Sequence, residues 1–287
     1  MRIEKLKNAS IHELRVRAAQ KIAAFSERQG WSSLAKLPTD AEFASLLNSQ
    51  ESEPGFFASF KSPEKTAAEL KARWPTTAQK LVEKAGRICE GRFDLLGFTD
   101  LSFGDPIDWH FEPISGKRLP LRHWSRLDYL DADIAGDKKI IWELNRHQYF
   151  MTLGQAYLLT ADERYARVFA KHLEAWMEAN PPKLGINWAS SLEVAFRSIS
   201  WLWAFHFFKS STSLSSETLQ RARKFLYLSA RHLESYLSTY FSPNTHLTGE
   251  ALGLFYLGTL LPEFKEAERW QKLGSQILIE QLPVHVR

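Results

Sequence analysis

From residue 141 to the end of the chain one pattern recurs: an apolar stretch with helical spacing, a brief polar connection, another apolar stretch. The spacing predicts helices near 144–159, 162–178, 190–209, 215–239, 245–260 and 263–281. Thr160-Ala-Asp-Glu163 has the spacing of a capping box, and Asn180-Pro-Pro182 stops a helix because proline has no amide hydrogen to continue the ladder. Connections this short make successive helices antiparallel neighbours. A long series of such pairs forms either an α/α ring or a stacked solenoid. No fixed repeat of about 34 or 40 residues, the mark of the common helical solenoids, is present. An all-α ring of antiparallel helix pairs is therefore expected. Its helix ends would converge on one mouth, where residues distant in sequence can meet.

The first 140 residues are less uniform. Ser10 and Glu13 have capping-box spacing, and Leu14, Ala18, Ile22 and Phe25 follow at helical intervals, so a helix is expected there. Residues 51–62 read as a loop and 64–90 as one or two helices. Residues 91–140 carry Gly91, Gly97, Gly104, Pro106, Pro113, Gly116, Pro120 and Gly136, which oppose long helices. The same stretch holds Phe93, Leu95, Leu96, Phe98, Trp109, Phe111 and Trp124, which makes it a packed connection rather than a flexible linker. The expected division is a helical lead-in over 1–90 and a ring domain over 91–287, continuous with it. With 10 Trp, 19 Phe and 8 Tyr, the 287 residues have ample material for a large core. The stripe Trp201, Trp203, Phe205, Phe207 and Phe208 belongs to it.

Three polar clusters interrupt the apolar helices. In Trp142-Glu-Leu-Asn145-Arg146-His147-Gln148, which is expected to open a helix, Asn145 can cap and Glu143 can hold Arg146 or His147. Either Arg146 or His147 meets an anionic ligand, or the cluster is an ordinary capped helix start. The second cluster is Asn187-Trp188 followed by Glu193 and Arg197. Trp188 beside an amide suits a sugar ring and its hydroxyls, and equally suits a hydrophobic plug. Glu193 and Arg197 are four apart and could pair with each other. In the third, Asn244-Thr-His246 with Glu250, the imidazole and the carboxylate lie one helical turn apart. That histidine reads as a polar-site residue or a buried structural one. A metal would need further ligands at convincing spacing, and HExxH is absent.

Other chemistry is narrowed quickly. GxGxxG, P-loop and GxSxG motifs are absent, and no cofactor is expected. Cys89 is the single cysteine, which excludes an intrachain disulfide framework and a cysteine metal cluster. A net charge of +4 does not argue for a nucleic-acid partner. No apolar run reaches transmembrane length, and MRIEKLKNAS has no signal-peptide core. Carboxylates for a glycosidase are too many to choose among.

The order of the clusters resembles the heparinase II/III-like polysaccharide lyases. The matching pieces are Phe93-Asp-Leu-Leu-Gly97, Asp108-Trp-His110, His123-Trp124, Lys139 to Gln148 (KIIWELNRHQ), Asp162-Glu-Arg-Tyr165, Gly185-Ile-Asn-Trp188, Glu193-Val-Ala-Phe-Arg197, and Asn244-Thr-His246 with Glu250. They cover roughly residues 90–282, the WELNRHQ run being the most specific. The resemblance implies the N-terminal α/α toroid of such an enzyme, incomplete here and lacking the C-terminal β-sandwich expected of the family. It further implies cleavage of uronic-acid polysaccharides, glycosaminoglycans among them, by β-elimination.

By position, His246 resembles the histidine of the family's Asn-His pair, with Asn244 as its partner. Thr245 stands where the amide usually precedes the imidazole directly. Arg146, His147, Asn187 and Trp188, with Asn145, Glu193 and Arg197, resemble cleft positions that orient the sugar chain. The family's catalytic Tyr follows a helix ending near 282, and none of the tyrosines here lies in that segment. The resemblance thus implies a chain inactive by itself, partnered by acidic polysaccharide and by the β-sandwich of its parent; the alternative is a non-catalytic glycan-binding or scaffold domain. A periplasmic or secreted location is implied in the same way.

Overall fold

The stretches Tyr149–Thr160, Ser191–Phe207 and Thr245–Leu260 are apolar nearly all the way round, and such helices are stable only when covered on every side. The computed structural model, which describes residues 9–49, 56–57 and 62–285, covers them with further helices. In chain order the helices are α1 (Ile11–Arg28), α2 (Asp40–Ser45), α3 (Pro63–Arg73), α4 (Pro75–Cys89), α5 (Ala132–Ala135), α6 (Lys138–Asn145), α7 (Tyr149–Thr160), α8 (Glu163–Ala179), α9 (Ser191–Phe207), α10 (Ser216–Ser235), α11 (Thr245–Leu260) and α12 (Ala267–His285). α3, α7, α9 and α11 stand side by side in that order, each is followed in sequence by a partner that packs against it, and the pairs α7–α8, α9–α10 and α11–α12 are antiparallel. This is the α/α toroid arrangement. The segment before residue 90 joins it through α3 and α4, which pack on α7.

The inner helices run parallel. Gly249 of α11 lies against Leu192 of α9 and Gly253 against Ala195, so residue numbers rise together along both. The N-termini of α9 and α11 therefore share one end of the molecule, and their partial positive charges gather there.

α11 and α12 approach as closely as backbones allow. A Cβ at Gly274 would sit 2.6 Å from the Ala251 carbonyl oxygen, and one at Gly258 would sit 2.4 Å from that of Ala267. Both glycines are there because no side chain fits between the two backbones.

Several expectations change. The helix expected over 144–159 is two elements: α6 ends at Asn145 and α7 begins at Tyr149, with His147 in left-handed backbone at φ 57°. The 142–148 cluster closes one helix and turns into the next, rather than opening one. α10 ends at Ser235, short of 239, and α12 starts at Ala267, later than 263. Residues 91–140 do pack, through Phe93, Phe103 and Trp109, but they also form two small antiparallel hairpins, Phe93–Leu95 with Phe98–Leu101 and Phe111–Glu112 with Lys117–Arg118. Leu96 and Phe98 lie exposed at the turn of the first. Of the 201–208 stripe, Trp201, Phe207 and Phe208 are buried, while Trp203 and Phe205 are partly exposed.

α1 forms where expected but is turned over. Its apolar positions Leu14, Ile22 and Phe25 are 41%, 69% and 43% exposed. The face that docks carries Glu13, Arg17, Gln20, Ala24 and Glu27, spaced by four, three, four and three. Among the described residues no helix is long and apolar enough to cross a membrane.

The glycine contacts give a paired expectation. Gly274→Ala should lower stability in urea titration by about 1–3 kcal/mol, because the added methyl meets backbone that cannot yield. Gly86→Ala, on α4 with nothing within 4 Å of its Cβ, should raise it by roughly 0.5–1 kcal/mol. Equal effects of the two would mean that α11 and α12 are not in contact at Gly274.

Candidate functional site

The connection between α6 and α7 is built around one amide. Asn145 Nδ2 donates to the Ile141 carbonyl (2.8 Å), one turn back on α6, and to the Trp109 carbonyl (3.0 Å). Its Oδ1 accepts from Trp176 Nε1 at 2.7 Å. Asn187 repeats the arrangement, with Nδ2 donating to Asn180 Oδ1 at 2.7 Å and reaching the same Trp109 carbonyl at 3.4 Å. Arg197 lies beneath both. Its guanidinium donates to the Asn187 carbonyl (2.9 Å) and reaches that of Asn145 (3.5 Å), and it sits 4.4 Å from the centre of the Trp176 ring. Burial brings its pKa down to about 9.

These residues present no surface. Asn145, His147, Asn187 and Trp188 are fully buried, and Glu193 and Arg197 nearly so. The expectation placed them at a cleft wall; the fold instead seals their side chains from solvent, and they hold the floor on which the mouth is built. His147 shows why. Its Nδ1 accepts from Trp201 Nε1 at 2.8 Å, and Trp109, Tyr149, Phe150 and Trp176 enclose the ring. Burial holds its pKa well below the ordinary value, so it stays neutral. Trp188 packs against His232 and beneath Lys183, as a plug.

Arg146 is partly exposed, but its charge is spent. It donates from Nε to Glu193 Oε2 (2.6 Å), from one terminal nitrogen to Glu193 Oε1 (3.1 Å) and from the other to Glu143 Oε2 (2.7 Å). Glu193 thus pairs across helices with Arg146, not with Arg197 one turn along α9. The clamp locks the α6–α7 connection to the first turn of α9, with two carboxylates for one guanidinium. Beside it lies a hollow of about 440 Å³ lined by Lys84, Arg87, Arg92, Glu143, Gln148 and Thr152. Arg87 is held there by Asp94 in a bidentate pair at 2.9 Å.

The third cluster is different: it is open. Asn244 caps α11, its Oδ1 accepting from the His246 backbone N–H at 3.0 Å. Only an oxygen can face that donor, so the amide orientation is fixed. The same Oδ1 lies 3.0 Å from His246 Nδ1, which must then carry a hydrogen. The neutral imidazole keeps its lone pair on Nε2, the tautomer a general base requires. Ser242 Oγ donates to Asn244 Oδ1 at 3.1 Å and steadies the corner. Both Asn244 and His246 are exposed.

Glu250 turns away from His246. Its buried carboxylate accepts from Ser238 N (2.7 Å) and Oγ (2.6 Å), tying down the α10–α11 loop. Burial pushes its pKa up to about 7, against the two Ser238 donors.

Sequence reasoning missed a second buried cluster at this end. Lys183 has no exposed side chain, holds φ at 66°, and places Nζ 2.9 Å from both Glu27 Oε1 and His232 Nδ1. Burial brings its pKa down to about 8, opposed by Glu27. Nothing in Asn180-Pro-Pro-Lys183 signals a buried ion pair, since its partner lies on α1.

With the geometry in view, the comparisons are specific. Residues 37–286 match the model of the Heparinase II/III N-terminus. The chain belongs to this family. It is 28% identical over 205 residues to a heparin-sulfate lyase of Bacteroides stercoris, a match covering 64% of this chain and 27% of that one. It is 34% identical over 143 residues to a heparin-sulfate lyase of Bacteroides thetaiotaomicron, covering 49% and 20%. The chain therefore spans about a quarter of the length of these relatives. Among solved structures, a heparinase III gene product superimposes with a TM-score of 0.58 at 22% identity, over 86% of this chain and 41% of that one. Heparan sulfate lyase HepC from Pedobacter heparinus gives 0.58 at 22%, over 76% and 33%. These likenesses establish the toroid fold.

Two outcomes test the site. Arg197→Met leaves two buried carbonyls without their donor and should cost roughly 2–5 kcal/mol in chemical denaturation. Glu250 binds its proton more tightly folded than unfolded, so unfolding releases it between pH 4.5 and about 7. Stability should fall by about 3 kcal/mol as pH rises through that window. In Glu250→Gln, whose side chain does not titrate, that part of the slope should vanish; an unchanged profile would put the proton elsewhere.

Proposed function

We propose that this chain is the toroid part of a polysaccharide lyase that acts on uronic-acid glycans by β-elimination, and that His246 and Asn244 are its contribution to the chemistry. The observation carrying the proposal is the orientation of the exposed pair: Asn244 Oδ1 fixes a hydrogen on His246 Nδ1 and leaves Nε2 basic. Elimination removes the C5 proton, moves that electron pair into the C4–C5 double bond and expels the C4 oxygen. The base is His246 Nε2. The uronate carboxylate must be neutralised for the C5 proton to leave, and Asn244 Nδ2 can donate to it. Thr245 adds a hydroxyl beside them. The N-termini of α9 and α11 favour an anionic chain, as do Lys84 and Arg92 at the hollow beside Glu143. The departing C4 oxygen takes its proton from water or from a group outside the Ser242–His246 corner, where the Ser242 hydroxyl is already given to Asn244.

That last point favours a second reading, a glycan-binding domain without chemistry. One experiment separates them. The chain, alone and within the longer parent polypeptide that the proposal implies, is incubated with heparan sulfate and other uronate polymers. Formation of unsaturated uronate is followed by absorbance, and binding by titration calorimetry at two salt concentrations. The lyase reading expects product from the parent, lost by at least a hundredfold in His246→Ala with little change in binding. Salt-sensitive binding with no product from any polymer would leave only the binding reading.

A further inference from the structure

The loop from Tyr236 to Asn244, which delivers Asn244 and His246, is held from two sides. The toroid holds its start: Ser191 Oγ donates to the Tyr236 carbonyl at 2.9 Å, and Glu250 takes the backbone N–H and hydroxyl of Ser238. The other side is held by α1, more than two hundred residues away in sequence. Gln20 Nε2 donates to the Leu237 carbonyl at 3.1 Å, and Arg17 donates from a terminal nitrogen to the Tyr240 carbonyl at 3.1 Å. Glu13 holds the Arg17 Nε at 2.8 Å and so aims the guanidinium. His12 Nδ1 bonds to the Tyr240 hydroxyl.

α1 is in turn anchored at its far end. Glu27 is buried with Lys183, whose Nζ also meets His232 in the last turn of α10, and Trp124 Nε1 donates to Glu27 at 3.3 Å. From Glu27 back to His12 the helix spans about 22 Å. It is pinned at one end to the element before the loop, and at the other it carries the donors that take the loop's carbonyls. Neither the Leu237 nor the Tyr240 carbonyl serves any other described backbone donor. Their direction is set by Gln20 and Arg17.

We propose that α1 is a positioning element for the Asn244–His246 corner, with Arg17 and Gln20 as the positioning residues that set the path of its loop. The corner's catalytic meaning rests on the function proposed above, while the control of the loop by α1 does not.

The test uses Arg17→Ala with Gln20→Glu. Glutamate keeps the shape of Gln20 but cannot donate to a carbonyl. Amide hydrogen exchange over residues 237–246 should quicken on the order of tenfold or more, with α7 and α9 amides unchanged. Arg17→Lys, which keeps a donor, should restore much of the protection. The Nδ1–H signal of His246 in nitrogen NMR should broaden in the double variant and remain in the lysine one. Unchanged exchange over 237–246, or acceleration spread equally over α7 and α9, overturns the proposal. In the longer parent, kcat for uronate elimination should fall about tenfold with KM unchanged. A loop that loosens in a parent giving no product upholds the positioning role and counts against the lyase reading alone.

Discussion

The side-chain amide of Asn145 is the constraint on which the mouth depends. A helix that meets its own side chain bonding back to a carbonyl one turn earlier is well placed to end, and α6 ends there. Because the same amide is shared with Trp109 and Trp176, the ending is fixed in space as well as in sequence. The chain then passes through His147 in left-handed backbone and starts α7 at a set angle. Arg146 falls between the carboxylates of Glu143 and Glu193 only because that turn is rigid. A buried network of this kind is tolerated because most of its donors and acceptors are used; the acceptor Oδ1 of Asn187 and the ring nitrogens Nε2 of His147 and Nε1 of Trp188 are exceptions.

Much of this was legible beforehand and part was not. The helical period after 141 gave the toroid arrangement and placed α8, α9 and α11 to within one or two residues, although α8 is capped by Asp162 rather than by the Thr160–Glu163 box and Ser190 makes no side-chain cap bond to α9. The break at 146–148 was hidden. Asn145 has the same composition whether it caps a start or closes an end, and what decides is the Trp109 carbonyl, which comes from the irregular segment. The first two clusters meet through Arg146 and Glu193, while the third stands on the neighbouring α11. Their exposure was not readable, because Arg and His in a polar run look alike whether they face solvent or a neighbour's carboxylate. α1 is the plainest case: the period named a helix, while the docked face is the polar one, which sequence periodicity assigns to water.

The division of labour at the mouth follows from burial. Groups sealed in the floor are held neutral or paired, as His147 and Arg197 show, and so cannot exchange protons with a ligand. The exposed corner presents an imidazole whose Nδ1 hydrogen is placed by a helix cap. Sealed and solvent-facing polar groups thus come from different residues within a few helix turns, the first from α6, α9 and the 180–188 connection and the second from the start of α11.

The inverted seating of α1 gives that joint a different thermodynamic character from the rest of the molecule. Inner helices cohere by excluding water from apolar surface, an attraction that excluded salts such as sulfate strengthen. The seam under α1 is made of a guanidinium, an amide and carbonyls near the surface, backed by one ion pair, and its exposed charges are screened by the same salts. Conditions that tighten the toroid therefore slacken the strap across its mouth, so overall stability and order at the mouth respond to solvent in opposite directions.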